Sequence, residues 1–393
     1  MNVISEISGI DLVQRARKVA AVAGKFADDV DKQGRFPAEA IAAMKAEGLL
    51  GMQVPVELGG MGASIAEVAE ACSIVSQECS SSSMVLAMHH IKLSSLIAHG
   101  SGDGWHEGFM RRISGEQLLL ASATTEAGIG GNLRNSICAI EVEGDTCRLT
   151  KEASVISYGA HADAILITSR ANKDAAPTDQ VMTVFLKGQY TLEKTHDWDT
   201  LGMRGTCSEG FLFKAEAPKQ QIIPQPFADI AAESMLATCH LLWSGVWYGI
   251  AVNAVSRAQA FVRGAARANP GSVPPGALRL AETAAKLHLV KSSITASIQE
   301  YERVKADTSN GISIAFLVDM NSLKVTSSEM VIEIVDRAMV VCGIAGYKNG
   351  TPFSLGRHLR DAHSSRVMIS NDRILANSSN MLLVHKLDTS LLG

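Results

Sequence analysis

The order in which two hydrophobic periodicities follow each other along the chain is the strongest constraint on its fold. Apolar residues recur every three or four positions over 8–120 and again over 226–384, whereas 119–222 holds short alternating or continuous apolar runs broken by Gly, Asp and Asn. The first pattern predicts amphipathic helices and the second predicts short strands at hairpin-like spacing. Helices and strands segregated in this way indicate an α+β protein and not alternating βαβ units.

We therefore predict three domains. The N-terminal domain is all-α and spans 1–118, the middle domain is an antiparallel β-barrel or sandwich over 119–225, and the C-terminal domain is a four-helix bundle over 226–393. One very long helix is expected over 229–267, and Glu-Gly-Asp at 143–145 is expected to form a tight turn. The wide apolar faces of the C-terminal helices suggest self-association.

Charge and cysteine usage exclude several classes of protein. The formal net charge is −4 and no basic block stands out, which argues against nucleic acid as a partner. The seven cysteines are scattered without a C-x-x-C pair, so a reduced, cytoplasmic setting is expected and a metal site is not. The first residues lack an apolar run behind a basic stretch, and no uninterrupted apolar run approaches ~20 residues, so we expect neither a signal peptide nor a membrane span.

Several short motifs occur in a fixed order along the chain, and together they resemble the acyl-CoA dehydrogenase family of flavoproteins. Each motif is weak alone, but the resemblance covers nearly the whole chain. FPAEAIAAMKAEGLLGMQVPVELGGMG resembles the family's N-terminal segment, and the later motifs resemble A-x-x-T-E-P-x-x-G-S-D, W-I-T-N-G-x-x-A-D, L-G-x-R-x-S/T, R-x-x-F-G, G-G-x-G-Y and R-x-x-R-D-A. In this sequence they read ASATTEAGIGGN, SVISYGAHAD, LGMRGTCSEGFLF, RANPG, CGIAGY and RHLRDA.

The resemblance implies a fold and a chemistry. The family combines a helical domain, a β domain and a four-helix bundle, usually as tetramers, so a homodimer or homotetramer is expected here. FAD lies between the middle and C-terminal domains, and an acyl thioester on CoA or a carrier protein packs against the flavin. A Glu takes the α-proton while the β-hydride goes to the flavin, and the electrons usually pass to an electron-transferring flavoprotein.

Three residues match the family's contacts with the flavin ring. Thr125 matches the Thr of T-E-P, which meets the polar edge of the ring. Ser157 matches the Thr of W-I-T, a donor to N5 that stabilises negative charge there. Val155 falls where the family has a stacking Trp, so aromatic area is lost at that place.

Five further residues match family positions near the cofactor. Gly130 and Gly131 match the G-S of the first motif and would let the backbone approach the cofactor or substrate. Arg267 matches the Arg that faces the pyrophosphate across a subunit interface, a role that suits a guanidinium. Gly343 lies in the glycine turn near the adenine-side phosphates, and Asn371 falls where a loop Thr meets FAD.

The catalytic carboxylate of the family is absent from both of its usual positions. Counting from the R-D-A motif places Ile369 at one, and counting back along the long helix places Cys239 at the other. We take His240 and Glu233 as candidate bases, because an imidazole titrates near neutral pH and a shifted helix alignment would turn Glu233 inward.

Met368 and Ile369 are expected to form an apolar floor instead of the acid. His89 and His90 lie on a helix that lines the family's acyl pocket, and one of them could face inward. Glu126, from T-E, is expected to be a fold residue or a residue at the rim of the pocket, and not a base.

Three functions are consistent with these residues. The leading one is FAD-dependent α,β-dehydrogenation of an acyl thioester. The second is a flavin-dependent monooxygenase or oxidase on the same fold, since such relatives often lack the Glu. The third is an acyl-binding homologue without catalysis.

Overall fold

The computed structural model describes residues 3–130, 132–307, 311–387 and 390, with side chains from residue 11 onward, and it has the predicted α+β architecture. Five α-helices come first, and the extended backbone of Cys79, just before the Ser80–Ser83 run, separates two of them. A capping box of Ser64 and Glu67 starts the earlier of these two helices. The five helices are α1 (Val3–Gln33), α2 (Ala38–Ala46), α3 (Ile65–Glu78), α4 (Ser80–His99) and α5 (Gly104–Glu116).

The middle of the chain forms two sheets in the part that the structure describes. One has the order β1-β4-β5 and the other β2-β3-β7-β6. Strands β2 and β3 are joined by the predicted tight turn, with Glu143 opposite Thr146. The strands are β1 (Leu120–Ala123), β2 (Glu141–Glu143), β3 (Thr146–Ile156), β4 (Ala164–Arg170), β5 (Gln180–Leu186), β6 (Tyr190–His196) and β7 (Glu209–Pro218).

One strand pair departs from the antiparallel prediction. Strands β1 and β4 pair in parallel, whereas the other pairs between these described strands are antiparallel. The chain leaves β1, forms the β2–β3 hairpin in the second sheet, and then returns to β4 in the first sheet. Such a return between sheets allows parallel pairing, and the strand spacing in the sequence does not reveal it.

The last part of the chain is a bundle built around one long central helix, α7, which packs against α3, α8 and α9. The expected helix over 229–267 is present, but its first turns include a π-helical segment at Ala231–Met235. The helices of this part are α6 (Phe227–Ile230), α7 (Leu236–Ala268), α8 (Ala277–Ala306), α9 (Ile314–Cys342), α10 (Ile344–Tyr347), α11 (Gly356–Val367) and α12 (Asn371–Leu382).

The helical stretch Phe227–Ala268 is long and apolar enough to cross a membrane by length and composition. However, 83% of its most apolar window is buried inside the protein. Core helices of soluble proteins have the same property, so this helix is weak evidence for a membrane span.

The R-x-x-R-D-A motif on α11 joins the three parts of the chain. The Arg360 guanidinium makes a two-pronged ion pair with Asp31 of α1. The buried Asp361 carboxylate accepts hydrogen bonds from Ser80 of α4 and from the backbone N–H of Met203, which follows β6 (2.6 Å). Since one turn of helix contacts both other domains, the motif has a structural role that does not require the family's acid beyond it.

The L-G motif is explained by the same junction. A Cβ on Gly202 would lie only 2.3 Å from the carbonyl oxygen of Arg360. No larger residue fits there without moving backbone, so glycine lets the loop after β6 approach α11 closely.

We predict that Asp361→Ala lowers the free energy of unfolding by about 2–4 kcal/mol, because it leaves the N–H of Met203 and the Ser80 hydroxyl without their buried acceptor. Chemical denaturation measures this loss. Asp199→Ala, which removes an exposed carboxylate paired with Arg204, is the matched control and should change the value by less than about 0.5 kcal/mol. Equal effects of the two substitutions would contradict the structural role of Asp361.

Candidate functional site

A cavity of about 840 Å³ lies where the three domains meet. Its volume is within the range of sites that bind cofactors and small molecules, roughly 300–1,000 Å³. The walls come from α4, the ends of β1 and β3, the segment between β6 and β7, the start of α7, and the turn between α11 and α12. The lining residues are Met84, Met88, Ile91, Lys92, Ser122, Thr124, Thr125, Leu133, Val155, Ser157, Trp198, Thr200, Leu201, Gly202, Met203, Thr206, Ser208, Met235, Leu236, Cys239, Trp243, Arg360, His363, Ser364, Val367, Met368, Ile369, Ser370 and Arg373.

One wall of the cavity is rich in hydroxyl groups from the β domain. The Thr125 hydroxyl donates to the carbonyl oxygen of Val155 (2.9 Å), which links the ends of β1 and β3. Ser157 accepts a hydrogen bond from Ser208 (2.8 Å), and its own hydroxyl hydrogen has no acceptor among the described residues. Ser157 therefore has a hydrogen that it can donate into the cavity. The structure thus brings Thr125, Val155 and Ser157 together, as the motifs predict.

A bulge in β3 positions these side chains. The register of β3 against β7 shifts between Ala153 and Ile156. Tyr158, next in the chain after Ser157, has a left-handed backbone (φ 43°), and its buried hydroxyl donates to the carbonyl oxygen of Leu120 (2.8 Å). Bulges turn a strand locally and are common beside functional sites.

Most of the apolar lining residues come from α4, the start of α7 and the turn between α11 and α12, and we call this side of the cavity the apolar wall. Met368 and Ile369 line the cavity, as expected for an apolar floor in place of the acid. Ile369 has φ 52°, which is strained for a β-branched residue. The buried Lys324 of α9 stabilises this turn by donating to the carbonyl oxygen of Ile369 (2.6 Å), and burial lowers the pKa of Lys324 to about 8.

Asn371 lies at the start of α12, outside the cavity lining. Its Oδ1 accepts from Lys324 (2.6 Å), and its Nδ2 donates to Ser328 and Glu329. Because these partners satisfy its amide, the structure offers no free group on Asn371 for a cofactor. The predicted cofactor contact of Asn371 therefore has no geometric support.

The two candidate bases also lie outside the cavity lining. His240 is buried in the bundle, with Nδ1 unpartnered among the described atoms, and burial lowers its pKa to about 4. Glu233 is exposed on the π-helical segment. Cys239, by contrast, lines the cavity, and burial raises the pKa of its thiol to about 12.

Among the described residues, no Asp or Glu lines the cavity. Glu126 of the T-E motif accepts hydrogen bonds from Ser136 (2.8 Å) and from the backbone N–H groups of Ile137 (3.0 Å) and Cys138 (2.7 Å). These three hydrogen bonds hold the loop after β1 in place, as expected for a fold residue.

Three further predicted cofactor residues, Gly130, Arg267 and Gly343, are not part of the described cavity lining. Gly130 has φ 57°, and a Cβ there would meet no heavy atom within 4 Å. Arg267 is exposed near the end of α7, and Gly343 is exposed at the end of α9. Gly131 lies outside the described residues.

Sequence reasoning missed Lys92. This residue is 4% exposed, lines the cavity, and donates to the thioether sulfur of Met235 at 3.0 Å. Met84, Met88 and Lys92 follow one another at intervals of four residues, about one helical turn, so the helical period could have placed Lys92 on the cavity side of α4. Burial lowers the pKa of the Lys92 ammonium to about 8.

His89 and His90 serve the fold. The Nε2–H of His89 donates to the carbonyl oxygen of Leu50 (2.7 Å), and its Nδ1 accepts from the N–H of Leu120 (3.0 Å). His90 bonds to the carbonyl oxygen of Leu49 (2.9 Å). Neither lines the cavity, and burial lowers the pKa of His89 to about 4.

Two protein-family models identify the class of protein to which this chain belongs. The acyl-CoA dehydrogenase N-terminal domain model matches residues 10–107, and the C-terminal domain model matches 227–377. The two matches together cover more than half of the chain, which therefore belongs to the acyl-CoA dehydrogenase family.

Relatives of two kinds span most of the chain. Amino sugar nitrososynthase DnmZ of Streptomyces peucetius is 24% identical over 353 residues, covering 86% of this chain and 84% of the relative. Mitochondrial short-chain specific acyl-CoA dehydrogenase of Bos taurus is 24% identical over 347 residues, covering 87% and 81%.

Solved structures of a monooxygenase and of an acyl-CoA dehydrogenase share the fold. FMN-bound TdsC from Paenibacillus sp. A11-2 superposes with a TM-score of 0.84 at 18% identity, covering 96% of this chain and 98% of that one. Butyryl-CoA dehydrogenase from Megasphaera elsdenii has a TM-score of 0.79 at 18% identity, with the same coverage.

We predict that the protein loses stability as pH falls from about 6.5 toward 4. His89 is neutral when folded, so its pKa near 4 lies below the unfolded value of 6.5. Its contribution to the free energy of unfolding is present above the unfolded pKa and is lost as pH falls toward the folded pKa, by up to about 1.4 kcal/mol per pH unit.

Denaturation at pH 7, 6 and 5 measures how the free energy of unfolding changes with pH. His89→Gln should flatten it, whereas the exposed His196→Gln should not. An unchanged slope in His89→Gln would contradict this assignment.

Proposed function

We propose that this chain is a flavin-dependent monooxygenase. The observation that carries the proposal is the lack of any carboxylate among the described cavity-lining residues. Dehydrogenation of a thioester needs a base beside the α-carbon, whereas oxygen transfer does not need one at that place. A bound reduced flavin supplies the two electrons with which one atom of O₂ enters the substrate while the other leaves, with two protons, as water.

The described cavity residues fit an isoalloxazine. Thr125 and Ser157 offer hydroxyl groups at one edge, and Val155 offers an apolar contact on the same wall. Trp198 provides aromatic surface in this cavity, which compensates for the missing Trp at position 155. We assign the ring to this wall and the substrate to the apolar wall.

The choice between FAD and FMN depends on a second copy of the chain. Arg267 and Gly343 lie at exposed helix ends and outside the cavity. Arg267 and Gly343 would contact the adenosine half of FAD only across a subunit interface, and we propose that Gly130 and Gly131, as in the family motif, also approach the cofactor or substrate. FMN needs no such interface, and TdsC binds FMN. Release of the bound flavin by heating, followed by chromatography, distinguishes the two cofactors.

Acyl thioester dehydrogenation is the second candidate function, and the bovine relative favours it. It would take an acyl-CoA or acyl-carrier-protein substrate and pass electrons to an electron-transferring flavoprotein. It also requires His240 or Glu233 to reach the cavity, and a helix rotation would be needed for either. For oxygen transfer the partner is instead a reductase that supplies reduced flavin. A cytoplasmic homodimer or homotetramer is proposed in both cases.

We predict that Ser157→Ala weakens flavin binding roughly two- to tenfold, because it removes the donor hydroxyl from the ring edge. Fluorescence titration of flavin-free protein with FMN and with FAD measures the effect. The exposed Ser272→Ala is the control and should bind as the unmodified protein does. Equal binding by all three proteins would remove Ser157 from the flavin site.

The reaction class is tested by supplying electrons in two ways. With NADH and a flavin reductase, we expect O₂ uptake and the gain of one oxygen atom by a probe such as indole, seen by mass spectrometry. Anaerobic mixing of the flavin-loaded protein with butyryl-CoA should leave the flavin spectrum unchanged. Bleaching by butyryl-CoA with formation of the enoyl thioester would instead support dehydrogenation. Loss of that activity in His240→Ala or Glu233→Gln would identify the base.

A further inference from the structure

Lys92 places a single amine in the apolar part of the cavity. Its neighbours on the same face of α4 are Met84, Met88 and Ile91, and its hydrogen-bond acceptor is the sulfur of Met235. A thioether is a weak acceptor. Lys92 as a residue is 4% exposed, so its ammonium group is paired with a group that compensates its lost hydration poorly.

The other cations that line the cavity differ from Lys92. Arg360 is paired with Asp31 and with the carbonyl oxygen of Leu201. His363 and Arg373 are exposed. Within the described lining, Lys92 is thus the buried cation without a carboxylate or a carbonyl oxygen as partner.

This arrangement suits a ligand with a negative charge, which the protein itself does not provide for Lys92. A buried charge is stabilised by an opposite charge with good hydrogen-bond geometry, and an apolar wall selects an apolar body. A second charge next to this anchor would lie against the methionines and isoleucine of α4, which carry no compensating charge.

We propose that Lys92 binds the substrate through a single anionic oxygen group, a carboxylate or phenolate, on an otherwise apolar molecule. The inference rests on the proposed function, since it takes the apolar wall as the substrate side of the cavity. It narrows the substrate to small apolar monoacids and assigns Lys92 the role of anchor for their acid group.

The test compares two probes of the same shape. Naphthalene-2-carboxylate and naphthalene-2-carboxamide are titrated at pH 7 into the flavin-loaded protein, and binding is followed by calorimetry. We expect the carboxylate to bind roughly 10- to 150-fold tighter than the amide. Lys92→Met should remove this preference while leaving amide binding within about twofold. Arg373→Met, which removes an exposed cation of the same cavity, should keep the preference.

Three results would overturn the proposal: equal binding of the two probes to the unmodified protein, no binding of the carboxylate up to its solubility limit, or a preference that survives Lys92→Met. The first two need no variant, so the test stands even if Lys92→Met fails to fold. Oxygen uptake is measured separately with reductase and NADH. Equal binding of the two probes to the unmodified protein, with oxygen transfer intact, therefore rejects the anchor alone, whereas a clear preference for the carboxylate without any oxygen transfer rejects the proposed reaction.

Discussion

The buried carboxylate of Asp361 is the constraint on which the rest of the structure depends. It accepts hydrogen bonds from α4 and from the segment after β6 while it sits on α11, so a single side chain links all three domains. Arg360, its neighbour, is paired with α1. Because the cavity lies between these same elements, its width and shape follow from this junction. A motif that resembles the approach to a catalytic loop is thus retained for its architecture.

The cavity divides into walls of different chemistry because different kinds of element supply them. Strand ends and the loops beside them provide hydroxyl groups, whose positions depend on the bulge in β3. Buried helices provide methionines and other apolar side chains, since their inward faces belong to the core. Where the family's acid would lie, Ile369 holds a strained turn whose carbonyl oxygen is bound by Lys324. Lys324 also donates a hydrogen bond to the amide oxygen of Asn371. These hydrogen bonds hold the turn in one conformation, and the turn presents no acid for proton transfer.

Much of the cavity could be predicted from the sequence, because motif residues adjoin strand ends whose positions the fold determines. Thr125, Val155 and Ser157 meet as expected, and Met368 and Ile369 line the other side. His240 was less predictable. A residue on a long helix faces the cavity or the bundle according to a rotation of about 100° per residue, and Cys239 took the cavity side. The π-helical segment just before α7 changes the direction in which the following side chains point, and no sequence pattern predicted this segment.

The sequence by itself determined the order of helices and strands, since periodicity of 3.6 or 2 is a local property of the chain. It also determined that neither usual position holds the family's carboxylate. Only the tertiary structure decided which polar groups are left without partners. Lys324 and Lys92 are both buried lysines on apolar helices, yet one meets three oxygen acceptors and the other a sulfur atom in a cavity. That difference depends on residues far apart in the chain, and packing alone brings them within hydrogen-bonding distance.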